Sequence, residues 1–287
     1  MTEADSTIAS SDAFPTQARV VIIGGGVVGC SVAYHLTKLG WRDVVLLERS
    51  QLTAGTTWHA AGLIVTGFSS ETTISIAKYT RDLYARLGEE TGQDTGFKPV
   101  GYIQIASNPD RVDVLRRRAD FSRMFGVYTE EISAAEIKKM WPLFETDDIL
   151  SGFYTPDDGR TNPIDTAMAM AKGAKMGGAC IWEETKVTGI KQTNGRVTGV
   201  VTDRGEIEAE YVVNCGGMWA REIGKMAGVN VPLHAAEHYY LITEPIEGIH
   251  RDMPIVEDPD LFGYYREEMG GLMLGLFEPV AGPWGMV

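Results

Sequence analysis

The sequence predicts an α/β fold, α+β overall, on three observations. An apolar run passes through clustered glycines into a helix and returns to a strand that ends on an acid. Two hairpin signals farther on mark a three-stranded meander. A further set of strand-like segments follows residue 231. The first of these units opens with Arg19-Val20-Val21-Ile22-Ile23, short enough for a buried parallel strand. The chain then runs through Gly24-Gly25-Gly26-Val27-Val28-Gly29 into a helical pattern (Val32, Leu36, Leu39) that Gly40 closes. Val44–Leu47 reads as the return strand, ending on Glu48, 19 residues after Gly29. Gly24 suits the tight turn, Gly26 the close approach of backbone to a pyrophosphate, and Gly29 the packing of helix on strand. The amides of Val27 and Val28 stand at the positive end of the helix dipole, where phosphates bind. Glu48 is placed to accept both hydroxyls of a ribose. One glycine motif by itself says little; strand, glycines, helix, strand and acid in order define a Rossmann-like dinucleotide-binding unit.

Beyond it, a helical pattern covers about Glu71–Glu90, with Ile74, Ala77, Leu83, Tyr84 and Leu87 on one side, and Gly92 ends it. Val100–Ala106 reads as a strand. Asn108-Pro109-Asp110 opens a helix, with Asn108 as cap and Pro109 in its first position. Ser133-Ala134-Ala135-Glu136 is a capping box for a short helix that stops before Pro142. Asn162-Pro163 repeats the start signal for a helix over Pro163–Met176. Strands follow at Thr185–Gln192, Val197–Thr202 and Ile207–Val213, joined at Asn194-Gly195 and Asp203-Arg204-Gly205. The last runs into Asn214-Cys215-Gly216-Gly217 and a helix through Met226, returning the chain to the nucleotide. Glu237–Thr243, Phe262–Arg266 and Leu272–Phe277 complete the strand-like segments. The expected organisation is a disordered polar tail over 1–17, a discontinuous nucleotide domain over 18–94 and 156–231, and a substrate domain over 95–155 and 232–287. The end, Ala281–Val287, breaks off what reads as an unfinished sheet, so a fragment of a longer polypeptide is expected.

Composition limits the function classes. The 287 residues suffice for a large core, and 44% are hydrophobic. With 39 acidic against 26 basic residues the formal charge is −13, which argues against nucleic acid or an anionic membrane as partner. Cys30, Cys180 and Cys215 are an odd number without metal-like spacing, each among apolar or small neighbours. Buried free thiols in a reducing, cytoplasmic setting are expected. The N-terminal segment has neither the apolar core of a secretory signal nor the arginines of a mitochondrial presequence. No run approaches the roughly 18 apolar residues of a membrane span.

The segment Thr53–Leu63, T-A-G-T-T-W-H-A-A-G-L, carries the most chemistry. A nicotinamide enzyme needs nothing special after Glu48. A loop rich in glycine, threonine and alanine lets a flavin and its ribityl chain lie against backbone, with Thr56 and Thr57 offering hydroxyls and amides. Glu48-Arg49 followed by this loop resembles the sarcosine and dimethylglycine dehydrogenases, FAD enzymes of the D-amino-acid-oxidase-like superfamily. The likeness extends from Arg19 to roughly Glu278. It takes in Glu89-Glu90-Thr91-Gly92, Asp157-Asp158-Gly159, Val212–Arg221 and Ile246-Glu247-Gly248-Ile249. It implies a Rossmann-like FAD-binding domain with a β-meander plus a mixed-sheet substrate domain. It also implies that His59 is bonded through a ring nitrogen to the flavin 8α-methyl carbon, a linkage that needs a reactive neutral imidazole. Val27 and Val28 then face the pyrophosphate, while Glu48 and Arg49 hold the ribose end. Gly55, Thr56, Thr57, Trp58, His59, Ala60, Ala61, Gly62 and Leu63 wrap the flavin. Val187 meets adenine through its backbone, and Trp219 closes over the cofactor.

The activity so implied is oxidation of an N-methyl amino acid, of sarcosine or dimethylglycine type, by hydride transfer from the N-methyl carbon to flavin N5. Tyr264, Tyr265, His238 and Arg266 are the catalytic candidates. The tyrosines or His238 would hold a neutral amine. Arg266 would fork onto the substrate carboxylate. The same two tyrosines and arginine also fit half-exposed strand residues. His234 and His238 are four apart but lack a third ligand, so no metal is expected. Met168, Met170 and Met176 read as helix-core fillers. The family passes electrons to an electron-transfer flavoprotein, and binds tetrahydrofolate only through C-terminal domains absent here. Two other readings stand beside this one: a catalytically silent regulatory protein on the same scaffold, and a noncovalent FAD amine oxidase.

Overall fold

A computed structural model describes residues 13–285. Along the chain run β1 (Gln17–Ile23), α1 (Val27–Lys38), β2 (Val44–Leu47), β3 (Leu63–Ile64), α2 (Glu71–Thr91), β4 (Tyr102–Ala106), α3 (Pro109–Met124), β5 (Glu130–Ile132), α4 (Ala134–Met140), β6 (Ser151–Thr155) and β7 (Gly159–Arg160). They continue as α5 (Pro163–Met176), β8 (Cys180–Trp182), β9 (Val187–Thr193), β10 (Arg196–Thr202), β11 (Gly205–Asn214), α6 (Ala220–Met226), β12 (Tyr240–Ile242), β13 (Ile255–Asp258), β14 (Gly263–Glu268) and β15 (Gly271–Leu276). The chain forms two compact units. One takes the chain up to Thr56 with Met170–Leu233, the other Thr57–Ala169 with the chain from His234 on. The sequence reading gave α2 to the nucleotide domain; the contacts group it with the second unit.

The first unit is built on a six-stranded sheet in the order β8-β2-β1-β11-β10-β9. β8, β2, β1 and β11 are parallel, while β11, β10 and β9 are antiparallel. The meander is therefore not a separate layer, because its last strand is also the parallel neighbour of β1. Val21, Ile23, Val45, Leu47, Val200 and Ile207 meet in one core. Val20, Ile22, Val44 and Leu46 are buried too, as parallel strands covered on both faces require. Most of the polar tail expected over 1–17 lies outside the described residues. Its last part is not a loose end, since the Phe14 ring packs edge-on against Trp182 with centroids 5.3 Å apart.

The second unit carries a seven-stranded mixed sheet, β12-β15-β14-β13-β4-β6-β5, in which only β13 and β4 pair in parallel. Strand alternation splits its residues between two faces. Ile103, Ile105, Val256 and Tyr265 pack with Ile137 and Trp141 on or beside α4. On the opposite face, Ala106 and Phe153 lie under Leu115 and Ala119 of α3.

The helix starts follow local chemistry. Asn108 Oδ1 accepts from the Arg111 amide at 2.8 Å, with Pro109 in the first turn. Ser133 and Glu136 form the reciprocal box. Asn162 Oδ1 accepts from the amides of Ile164 and Asp165. Strands β6, β8 and β13 were not read from the sequence. They hold three to five residues each, and β6 includes Ser151 and Gly152. The strand expected from Val100 starts at Tyr102, because Gly101 is left-handed (φ 89°). The one expected from Phe262 starts at Gly263, because Phe262 is left-handed (φ 56°). Of the methionines expected in a helix core only Met170 is buried, since 168, 170 and 176 do not share a face at 3.6 residues per turn. The expectation of three buried thiols holds for Cys30 alone. Cys215 is half-buried and Cys180 exposed at the end of edge strand β8. Burial pushes the Cys30 thiol up to about 12.

Candidate functional site

The first unit gathers its special residues at the carboxyl ends of β1, β2 and β11, where open parallel sheets bind ligands. Gly24 follows β1 with φ 111°, its amide donating to the Leu47 carbonyl at 2.8 Å. A Cβ at Gly29 would collide with the Gly24 carbonyl oxygen, so the helix can come this close to the turn only without a side chain there. Gly26 caps α1 with no side-chain hydrogen bond, and no acid stands in the first turn. Val28 at this helix start is exposed. Glu48 follows β2, its Oε2 accepting from the Gly25 amide at 2.7 Å and its Oε1 from the Ser50 amide at 2.9 Å. The carboxylate thus braces the glycine turn itself. Arg49 lays its guanidinium 3.9 Å above the Trp219 ring, and Gly55 keeps its backbone against that ring. Val187 opens β9, its side chain in the core and its backbone beside Thr202. Thr56 lies near Gly217, at the Gly-pair after β11.

The rest of the Thr53–Leu63 loop belongs to the second unit. Thr57–His59 forms a single 3₁₀ turn with Thr57 buried. Trp58 and His59 are exposed and stack with ring centroids 3.7 Å apart. The Ala60 amide then donates a hydrogen bond to the Thr57 carbonyl at 3.2 Å. Beyond the turn the backbone is held twice. Arg266 Nε donates to the Ala61 carbonyl at 2.8 Å, and the Thr161 amide to the Gly62 carbonyl at 2.8 Å. Leu63 and Ile64 then pair with β7.

The catalytic candidates separate. Tyr264 and Arg266 share one face of β14 and Tyr265 takes the other, where its ring packs edge-on against Phe144 in the apolar core. Tyr264 is 6% exposed, its ring against Phe277 and over Gly275. Burial raises the phenols of Tyr264 and Tyr265, so both stay protonated at neutral pH. Arg266 is buried with its guanidinium engaged: beside Ala61, it donates to the Glu267 carbonyl at 2.9 Å and pairs with Glu268 at 2.6 Å. That arrangement makes it a brace for the Thr53–Leu63 loop, with its guanidinium already engaged by protein groups. His238 is exposed and bonds Glu278 through Nδ1 at 2.7 Å. Among the described residues no group of three or more His, Cys, Asp or Glu is arranged for a metal, and no helix is long and apolar enough to cross a membrane.

The sequence reading overlooked Glu257. It stands directly opposite Tyr264 across β13 and β14, hence on the same face. Its Oε2 accepts from the Tyr102 hydroxyl and from Gln104 Nε2. The sequence signal was slight: an acid closing the apolar pair Ile255-Val256, followed at once by Asp258 and Pro259.

The cradle accommodates a flavin dinucleotide. Its helix start has no side-chain cap, Gly29 lets α1 close onto the Gly24 turn, and the carboxylate after β2 is in place. These features define a Rossmann-like dinucleotide-binding protein. The family described as FAD dependent oxidoreductase, DAO, matches residues 19–285, and the chain belongs to it. It is 43% identical over 270 residues to sarcosine dehydrogenase of Homo sapiens, covering 92% of this chain and 29% of that protein. It is 40% identical over 273 residues to the pyruvate dehydrogenase phosphatase regulatory subunit of Mus musculus, covering 94% and 31%. The chain thus spans about 30% of the length of these curated relatives. Among solved structures, L-proline dehydrogenase from P. horikoshii superimposes with a TM-score of 0.86 at 30% identity, over 92% of this chain and 71% of that one.

One buried acid sits near the exit of the cofactor loop. Asp158 has no exposed surface, and its carboxylate accepts from the Thr66 amide at 2.9 Å and from Thr66 Oγ1 at 2.6 Å. Burial, outweighing these bonds, pushes its carboxyl from 3.8 to about 6. The folded state therefore holds this proton more tightly than the unfolded chain. The resulting stabilisation is full below pH 4 and is lost as pH rises through about 6, a change of up to about 3 kcal/mol. Asp158→Asn cannot titrate there. Urea midpoints measured at pH 4 and pH 7 are expected to differ less in this variant than in the parent chain.

Proposed function

We propose that this chain supplies the flavin-binding part of an oxidoreductase acting on an N-methyl amino acid, of sarcosine or dimethylglycine type, with FAD bound covalently through His59. The observation that carries the reading is the exposed His59 imidazole on its short turn, in a chain 43% identical to a sarcosine dehydrogenase. The amides at Val27 and Val28 would hold the pyrophosphate and Glu48 the ribose, with Arg49 and Trp219 over the cofactor and the Val187 backbone on adenine. Gly55 through Leu63 would wrap the isoalloxazine. Once bound, FAD supplies a two-electron acceptor for the N-methyl carbon.

The chain's own part is to orient the amine and keep it neutral. The Tyr264 hydroxyl, protonated through burial, donates to the amine nitrogen and so favours its uncharged form. Glu257, braced by Tyr102 and Gln104 on the same face, would accept the lone N–H of a neutral secondary amine of sarcosine type, whereas a neutral tertiary amine offers none. Arg266 acts by fixing the Ala61 carbonyl. An electron-transfer flavoprotein is the proposed acceptor; tetrahydrofolate lies outside the reach of these residues.

The test is anaerobic bleaching of the polypeptide purified with its flavin, using sarcosine, dimethylglycine and betaine in parallel. Bleaching by either of the first two but not by betaine is expected. Unbleached flavin in all three would remove the reading. The 40% identity to a phosphatase regulatory subunit favours a second reading, a silent regulatory protein on the same scaffold. A polypeptide that purifies without flavin absorbance would turn the assignment that way.

A further inference from the structure

The Asp157-Asp158-Gly159 turn meets the loop that carries His59 where that loop ends, and Asp158 shares a small cavity with Tyr102 and Gln104. Asp158 is fully buried and spends both carboxylate oxygens on one residue, Thr66. Its own carbonyl accepts from the Gly101 amide at 2.8 Å, which ties the turn to the start of β4. A Cβ at Gly159 would collide with the Lys98 carbonyl oxygen, so the turn is pressed against that segment. From Gly159 the chain enters β7 and pairs with β3. Among the described residues Asp158 has no ion pair. Arg81 lies nearer its neighbour, at 3.8 Å from Asp157. A buried carboxylate outside any direct ion pair is costly. What this one gains is the position of Thr66, seven residues after His59.

We propose that Asp158 is a positioning residue for the flavin tether, fixing the exit of the loop that presents the His59 imidazole. The loop leaves its 3₁₀ turn and is held at Ala61 by Arg266, at Gly62 by Thr161 and at Thr66 by Asp158. Three anchors within six residues remove the freedom that would otherwise have to be surrendered when the imidazole meets its partner. Small displacements of a reacting group lower the rate of bond formation steeply. The inference rests on reading His59 as the attachment point.

Two readouts keep the failures apart: hydrogen–deuterium exchange of peptides covering 57–66, and flavin that stays with the polypeptide after acid precipitation. Asp158→Ala is expected to speed exchange over 57–66 about tenfold or more and to lower acid-stable flavin at least about fivefold. Asp158→Asn keeps an acceptor for the Thr66 amide and is expected to restore most of both. Thr66→Val loses only the hydroxyl bond and should fall between. Thr129→Val breaks the buried 2.9 Å hydroxyl pair with Thr155 in the same small cavity and should leave both readouts unchanged. Exchange in Asp158→Ala equal to the parent, or an equal loss in Thr129→Val, would overturn the proposal. If Asp158→Ala does not fold, Thr66→Val decides by the same two criteria. A parent chain without acid-stable flavin sinks the His59 linkage, and exchange alone then decides whether the clamp stands.

Discussion

Gly29→Ala is expected to abolish flavin binding and to destabilise the first unit by about 3 kcal/mol, in the range of an overpacked core position. The new Cβ meets the Gly24 carbonyl oxygen, a backbone atom that cannot rotate away. Either α1 slides off the turn or the turn opens, and both changes move the amides of Val27 and Val28 from the ends of β1 and β2. A phosphate site made of backbone donors has no side chain with which to recover. Flavin content of the purified protein and affinity for added FAD measure the first effect, and urea unfolding the second. Gly189→Ala is the control. It lies in β9 of the same sheet, and its Cβ would make only an ordinary contact with Val201 at 3.6 Å. Gly29→Ala binding FAD within a few-fold of the parent would contradict the assigned role of the glycine turn.

His59→Ala is expected to remove the covalent link to the cofactor while keeping the fold. The imidazole is exposed, so its replacement is expected to cost far less stability than the overpacking in Gly29→Ala. Acid-stable flavin should fall to background, while flavin held by the glycine cradle and by Glu48, Arg49 and Trp219 remains until the protein is denatured. The measurement is flavin fluorescence in the pellet and supernatant after acid precipitation. Fluorescence still in the pellet of His59→Ala would place the linkage elsewhere or remove it.

The contrast between these two variants follows how the features are encoded. The glycine turn, the Asn108, Ser133 and Asn162 helix starts, and the Asn194-Gly195 hairpin are local. Each is set by backbone conformation or by a hydrogen bond spanning two or three residues, and each is legible in the sequence. Strands β6, β8 and β13 were not legible. Three to five residues carry little periodicity, and what makes them strands is the neighbour already in the sheet. The candidate catalytic set divides in the same way. The sequence reading held Tyr264 and Tyr265 as equal candidates, and the structure places them on opposite faces of β14, with Tyr265 against Phe144.

The sequence by itself determined the nucleotide-binding unit, its order of strand, turn, helix and acid, and the histidine loop that follows. Only the tertiary structure decided that Arg266 holds Ala61 and Glu268, that Glu257 joins Tyr264, and that Asp158 holds Thr66. The reason is separation along the chain. Glycine conformation and capping act over a few residues, whereas Asp158 and Thr66 are 92 residues apart and Arg266 and Ala61 are 205 apart. Such partners are chosen by strand order and burial, which no local pattern of residues expresses.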